Sequence, residues 1–401
     1  MRHFHISLLL TSLLLILYGC SEEYGDIYLP EEPHQSDAGS INPSTRAGDI
    51  NDFHIYLLRN FDTNEDGSLS QEEIDAVTSI NIDYTGAFYD PSHIMQYEEI
   101  DVTPFKNLEY LNCQGNLLTS LDVSQNHKLK RLTCQWNHLP ELDIRSNPNL
   151  EMLKCGGNHI TSFNLSQNPL LDTVFLSVPT YYIIPPVNVD TSYENTMDQI
   201  DLSNNPLINT LYCNGMGLKS LSVEYNMELE KLICVGNDLE SLHITNNPKL
   251  RYINCSHNKL TDLQITGAPL LDDLTCESNL LRKLDTSHLP NLGALLCDNN
   301  HLFWTDALIL DYNPKLRTLS CSNNYLLGLY LPNNLKNLEY LNCSNSHLTG
   351  LNVARQHNLK FLICNNNNIS ELEITKTQWR NMKWLAIDDH TTFFWAPEPP
   401  L

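Results

Sequence analysis

Leu108-x-x-Leu111-x-Cys113-x-x-Asn116-x-Leu118-x-x-Leu121-x-Val123-x-x-Asn126 is the stretch on which the fold turns. The same register returns as Leu129, Leu132, Cys134, Asn137, Leu139, Leu142, Ile144, Asn147, and again as Leu150, Leu153, Cys155, Asn158, Ile160, Phe163, Leu165, Asn168. Cysteine recurs at 113, 134, 155, then at 213, 234, 255, 276 and 297, then at 321, 343 and 364, with Leu176 in the cysteine place of a fourth unit. The dominant step is 21 residues, and a fixed period of this size means stacked structural units.

Within a unit, Leu111-Asn112-Cys113 alternates inward and outward, which predicts a short strand. Stacking then builds a parallel sheet. Asn116 and its equivalents at 137, 158, 237, 258, 279, 300, 324 and 367 fall where the chain turns inward, and a buried carboxamide there has to be satisfied by backbone. The second half, as in Leu121-Asp122-Val123-Ser124, also alternates, and 21 residues leave little room for a helix.

This pattern resembles the leucine-rich repeat in a short bacterial form, over roughly residues 77–375. The resemblance implies a mostly β solenoid of about twelve coils. At ~4.8 Å per strand that is a rod roughly 60 Å long, one array rather than several globular domains. The repeat cysteines read as small buried hydrophobes. Equivalent side chains of stacked coils point parallel, which disfavours disulfides, and no C-x-x-C or Cys/His cluster offers a metal site.

The period breaks between Leu176 and Cys213, a step of 37 residues. The excess lies within 177–199 and includes Tyr181-Tyr182-Ile183-Ile184-Pro185-Pro186. Such an insertion either meets a partner or folds back over its own coil. Outward sheet positions carry Tyr110, Asn112, Gln114, Arg131, Lys154, Phe175, Tyr212, Lys231, Tyr252, Asn254, Glu277, Tyr340, Asn342 and Phe361. Aromatics mixed with amides and a few charges are the composition of a protein-contact face. The expected contact residues are Tyr110, Phe175, Tyr181, Tyr182, Tyr212, Tyr252, Tyr340 and Phe361.

At the front, Met1-Arg2-His3 precedes an apolar run from Ile6 to Leu17, which is too short for a permanent span and reads as a signal peptide over 1–19. Leu17-Tyr18-Gly19-Cys20 resembles the lipobox of bacterial lipoproteins, with Tyr18 bulkier than the pattern's norm. The resemblance implies acylation of Cys20 and a membrane hold through lipid alone. Ser21-Glu22-Glu23-Tyr24-Gly25-Asp26 looks like the surface-export signal of Bacteroidetes lipoproteins. It implies a lipid-anchored, surface-exposed protein on the outer membrane of a Gram-negative bacterium. Residues 20–48 continue as a Pro-, Ser- and acid-rich tether.

Residues 62–73 read Asp62-Thr63-Asn64-Glu65-Asp66-Gly67-Ser68-Leu69-Ser70-Gln71-Glu72-Glu73. This resembles an EF-hand loop. The resemblance places calcium ligands on Asp62, Asn64, Asp66, Ser68 (through its carbonyl), Ser70 and Glu73, with Gly67 at the sharp turn. Helical spacing before it and carboxylates after it suggest a small helical cap over 49–80, with one structural Ca²⁺. The coils are expected over 81–375, and an aromatic-rich C-terminal cap over 376–401.

The chain of 401 residues has formal net charge −24, which argues against nucleic acid as a partner. Residues 21–100 hold 18 acidic and two basic side chains, so most of that charge sits beside the anchor. No G-x-S-x-G, H-E-x-x-H or phosphate-binding glycine loop occurs, and the repeat leaves few positions for chemistry. The expectation is a binding protein rather than an enzyme, with a protein or peptide ligand on the sheet. Glycan capture through Tyr and Trp platforms is the alternative, and a paired-carboxylate hydrolase centred on the insertion is a third reading.

Overall fold

The periodic leucines and cysteines close into coils. The computed structural model describes residues 52–84, 96–178 and 194–398. Fourteen three-residue strands, from Ser79–Asn81 to Trp384–Ala386, form one parallel sheet whose order follows the chain. Register is maintained from coil to coil: Tyr110 pairs with Arg131, Leu111 with Leu132 and Asn112 with Thr133, and the next step repeats this with Met152, Leu153 and Lys154. Two-residue periodicity makes that register self-enforcing, since a one-residue slip would turn every core leucine outward. Apart from the main sheet, smaller two- and three-stranded parallel sheets recur, as in Ser241–Ile244 with Asp262–Ile265. Among the described residues the repeats contain no helix until Lys376–Asn381 near the end. The architecture is the mostly β solenoid that the periodicity predicts.

Leu111, Leu132, Leu153, Leu232 and their equivalents are fully buried, as are the repeat cysteines, in one continuous core. All eleven repeat thiols are free. Several donate to the carbonyl of the next coil, Cys113 to Thr133 at 3.6 Å and Cys297 to Ser320 at 3.3 Å. Burial pushes the Cys213 and Cys255 thiols up to about 12, so the thiolate form that reacts is suppressed.

The asparagine ladder works through both ends of the carboxamide. Asn137 Nδ2 donates to the carbonyls of Cys113 (2.9 Å) and Cys134 (3.1 Å), and its Oδ1 accepts from Leu118 N at 3.0 Å. The residue just before the ladder position is left-handed in coil after coil, as at Trp136 (φ 57°), Asn299 (55°) and Gly236 (70°). In the coil interrupted by the insertion the ladder residue is Asn195, which donates to Cys155 O and Leu176 O. The extra segment therefore lies between Val178 and Asn195, a narrower interval than the sequence suggests.

At the front, helix α1 (Asp52–Phe61) buries Phe53 and Leu57 against the first coil. Helix α2 (Gln71–Ala76) starts with a Ser70–Glu73 capping box. Tyr56 Oη accepts from Asn81 N at 3.3 Å, and Asn107 Nδ2 donates to Asp75 O at 2.7 Å, so the helical segment is tied to the sheet. The sheet reaches beyond the interval 81–375: it begins at Ser79, and residues 376–398, expected as a cap, add a further coil. After helix α3 (Lys376–Asn381), Trp384–Ala386 pairs with Phe361–Ile363 and Thr392–Trp395 pairs with Glu371–Ile374. No helix among the described residues is long and apolar enough to cross a membrane.

Candidate functional site

Strand alternation aims the first and third residue of each main-sheet strand outward, and there the coils differ from one another. Phe175 and Tyr212 occupy paired positions, with rings stacked at 4.3 Å between centroids and 13° between planes. Lys154 Nζ lies 5.1 Å from the Phe175 ring centre, and Lys231 Nζ lies 5.3 Å from that of Tyr212 and 5.4 Å from that of Tyr252. Phe175, Tyr212 and Ile233 are buried, and with half-buried Val235 and Tyr252 they form a second apolar cluster on the outward face, separate from the main core. Burial lowers the pKa of Lys154, with Arg131 adding repulsion, and burial also lowers that of Lys231. Both ammonium groups are held by aromatic faces in place of water.

Next along the sheet the charge reverses. Asp273 pairs in register with Tyr252, and its carboxyl is pushed up to about 7 by burial and by Asp272, against the pull of Arg317. Glu277 and Asp298 hydrogen-bond each other, and both are raised, burial first and their mutual contact next for Glu277. Ser320 Oγ donates to both Asp298 oxygens (2.8 and 2.6 Å). Burial and these two carboxylates also raise the Tyr340 hydroxyl. The face is therefore charge-polarised, with Arg131, Lys154 and Lys231 toward the front and Asp273, Glu277 and Asp298 behind them.

Of the expected contact residues, the structure brings Phe175, Tyr212 and Tyr252 together. Tyr340 and Phe361 form a separate tilted pair 6.5 Å apart, and Tyr110 lies near the front, in register with Arg131. Tyr110, Tyr252 and Phe361 are half-buried, whereas Phe175, Tyr212 and Tyr340 are buried by their neighbours and shape the face instead of offering free rings. Tyr181, Tyr182 and Cys20, the residue expected to carry the lipid, lie outside the described residues. Asp273 and Asp298 were missed. The signal that finds them is register: they repeat the outward places of Tyr252 and Glu277 one coil on.

The acidic loop 62–73 is drawn together by its own side chains. Asp62 accepts from Asp66 N (3.3 Å) and Gly67 N (2.8 Å), and Asn64 Nδ2 donates to Asp66 Oδ2 at 3.1 Å. Gly67, at φ 84°, makes the turn. Glu73 reaches across, accepting at Oε1 from Thr63 N and Oγ (both 2.7 Å) and at Oε2 from Ser70 N (2.9 Å) and Oγ (2.8 Å). These donors hold its pKa down to about 2. The donor set is all oxygen and fits a hard cation. Among the described residues no three Asp, Glu, His or Cys side chains converge tightly enough to form a ready-made cage, so the loop's Glu73 would exchange N–H and O–H partners for metal.

No family model and no curated protein matches the chain. Solved structures do. The functional domain of InlJ from Listeria monocytogenes, which includes a cysteine ladder, aligns with TM-score 0.67 and 26% identity over 81% of this chain and 66% of that one. The fold is a leucine-rich-repeat solenoid. YopM from Yersinia enterocolitica aligns with TM-score 0.53 and 24% identity over 72% of this chain and 62% of its own. The chain thus spans just under two thirds of either leucine-rich-repeat chain. The plant peptide hormone receptor RGFR1, solved in complex with RGF2, has TM-score 0.53 and 17% identity, with 73% and 53% covered. The stacked cysteines here are similar to the ladder of the InlJ domain.

Proposed function

We propose that this leucine-rich-repeat chain is a lipid-anchored surface protein that binds a protein or peptide ligand on its main sheet, in adhesion or contact with a host or neighbouring cell. The observation that carries this reading is the second apolar cluster, Phe175–Tyr212–Ile233, on the outward face of the sheet beside Lys154 and Lys231. That buried platform shapes an outward face edged by half-buried Tyr252 and two ammonium groups, and aromatic residues are enriched where proteins meet. RGFR1, of the same fold class, was solved with RGF2. Glycan capture is the second reading; it rests on the exposed rings of Trp384 and Trp395 at the last coil.

Calcium held by Asp62, Asn64, Asp66, the Ser68 carbonyl, Ser70 and Glu73 would neutralise the acidic loop and stiffen the segment that covers the first coil. Cys20 would carry the acyl chains, with outer-membrane surface exposure following from the acidic tract behind it.

The deciding experiment presents the full chain to a glycan array and to a panel of host and bacterial surface proteins. Protein capture that Lys231→Ala and Tyr252→Ala weaken, with the circular dichroism spectrum unchanged, supports the reading. Glycan capture that those variants leave intact replaces it.

A further inference from the structure

The smaller three-stranded sheet carries a groove apart from the face described above. Gly350–Asn352, Glu371–Ile374 and Thr392–Trp395 pair in parallel, with Gly350 beside Glu371 beside Thr392. A cavity of about 590 Å³ opens over these strands and over the preceding coil at Gly328 and Tyr330. Its floor is glycine at the same place in two successive coils, 328 and 350. A Cβ at Gly328 would come within 2.7 Å of Thr305 Cγ2. Thr305 of the preceding coil thus fills the space over Gly328, whereas a Cβ at Gly350 would meet nothing nearer than Glu371 O at 3.9 Å, so the open floor is at Gly350.

The walls are aromatic and acidic. Tyr330 is 62% exposed and Phe394 54% exposed, far above what a ring in a packed face shows. Between them Glu371 and Glu373 occupy the two outward places of one strand, and Asn352 Nδ2 donates to Glu373 Oε2 at 2.5 Å. None of the lining residues is basic. From Tyr330 to Phe394 the walls are three coils apart, ~14 Å at the usual strand spacing. Carboxylates and exposed rings that line one groove attract a cation twice over, through charge and through the ring quadrupole. The floor at Gly350 leaves room for the stem of such a side chain.

We propose that this groove takes a lysine or arginine side chain borne on an extended segment of a partner protein, as a binding site separate from the main sheet. The test uses the full chain and a blocked tetra-arginine peptide. Its citrulline counterpart, which has the same shape without charge, and a neutral cello-oligosaccharide serve as competing probes. Titration calorimetry should give binding to tetra-arginine that falls roughly tenfold in Glu373→Gln and in Tyr330→Ala. The citrulline peptide should bind at least tenfold more weakly. Glu141→Gln, an exposed acid elsewhere on the solenoid, should bind as the parent does.

Equal weakening in Glu141→Gln would mean bulk attraction to an acidic protein and would overturn the site. So would tighter binding of the oligosaccharide, or affinity indifferent to both groove variants. A chain that fails here while still capturing a protein on the main sheet keeps the earlier reading, because the two faces share no residue.

Discussion

Asn137 donates its side-chain amide to the carbonyl of Cys113, 24 positions earlier, at 2.9 Å. The same geometry recurs from Asn158 to Cys134, from Asn237 to Cys213 and from Asn258 to Cys234. Each ladder asparagine thus ties its own coil to the one before it, and a second ladder (Asn147 to Val123 O, Asn168 to Ile144 O) does the same beside the backbone pairing of the sheet. Asn137→Ala would strand the Leu118 N–H in a dry interior and leave the Cys113 and Cys134 carbonyls with one side-chain donor each, from Asn116 and Asn158. We predict a loss of roughly 3 kcal/mol, read as a lowered urea midpoint. Asn137→Asp should fare no better, because it removes the donor and buries a charge.

The cysteine ladder should be chemically silent. With Cys20→Ser in place to remove the N-terminal thiol, Ellman's reagent should leave the eleven repeat thiols unmodified in the folded chain and label all of them in denaturant. Burial accounts for both results: no reagent reaches a fully covered Sγ, and the thiolate is disfavoured there. Rapid labelling of any repeat thiol under native conditions would contradict the packing.

Asp273 makes stability fall with rising pH. Its carboxyl titrates near 7 in the folded chain against an ordinary value of 3.8, so the folded state holds a proton that the unfolded state releases. The associated stability is fully present below about pH 4 and is lost as pH rises through about 7. Asp273→Asn should therefore gain on the parent between pH 4.5 and pH 8, by roughly 1–3 kcal/mol. Urea titrations at the two pH values check the sign; a variant whose deficit grows with pH would refute it.

Calcium binding at loop 62–73 is expected in the range of about 0.1–1 mM that suits extracellular modules. Calorimetry should show it abolished in Asp62→Ala and in Glu73→Ala. Because Glu73 stays ionised down to about pH 2, its own protonation should not erode affinity between pH 7 and pH 4. Heats identical in parent and variants would reject the metal.

Most of the architecture was legible because core positions obey one rule at a time. A leucine at the second strand position and a cysteine two places on can face only inward, so Leu111, Cys113 and their equivalents announce strand, register and core together. Asn116 and Asn137 announce the turn because a buried carboxamide needs backbone partners. The coil formed by Trp384–Ala386 and Thr392–Trp395 was harder to read, since its ladder position is filled by Asp388, whose carboxylate accepts from Asn366 N and Asn367 N. Asp388 keeps only the accepting half of the ladder contact and donates nothing, which a pattern in residue types does not register.

Outward positions obey no such rule. That Phe175 stacks on Tyr212, that Lys231 lies between two tyrosines, and that Glu277 lies beside Asp298 depends on which coil lies beside which, 37 residues on in the first case and 21 in the last. The one-dimensional chain therefore determined the solenoid, its period and its buried ladders, because each follows from hydrophobic alternation and local hydrogen-bond need. Only the stacked coils decided what the faces present, because residues 21 or 37 apart in sequence become neighbours about one strand spacing apart, and their burial and charge are set by that neighbour.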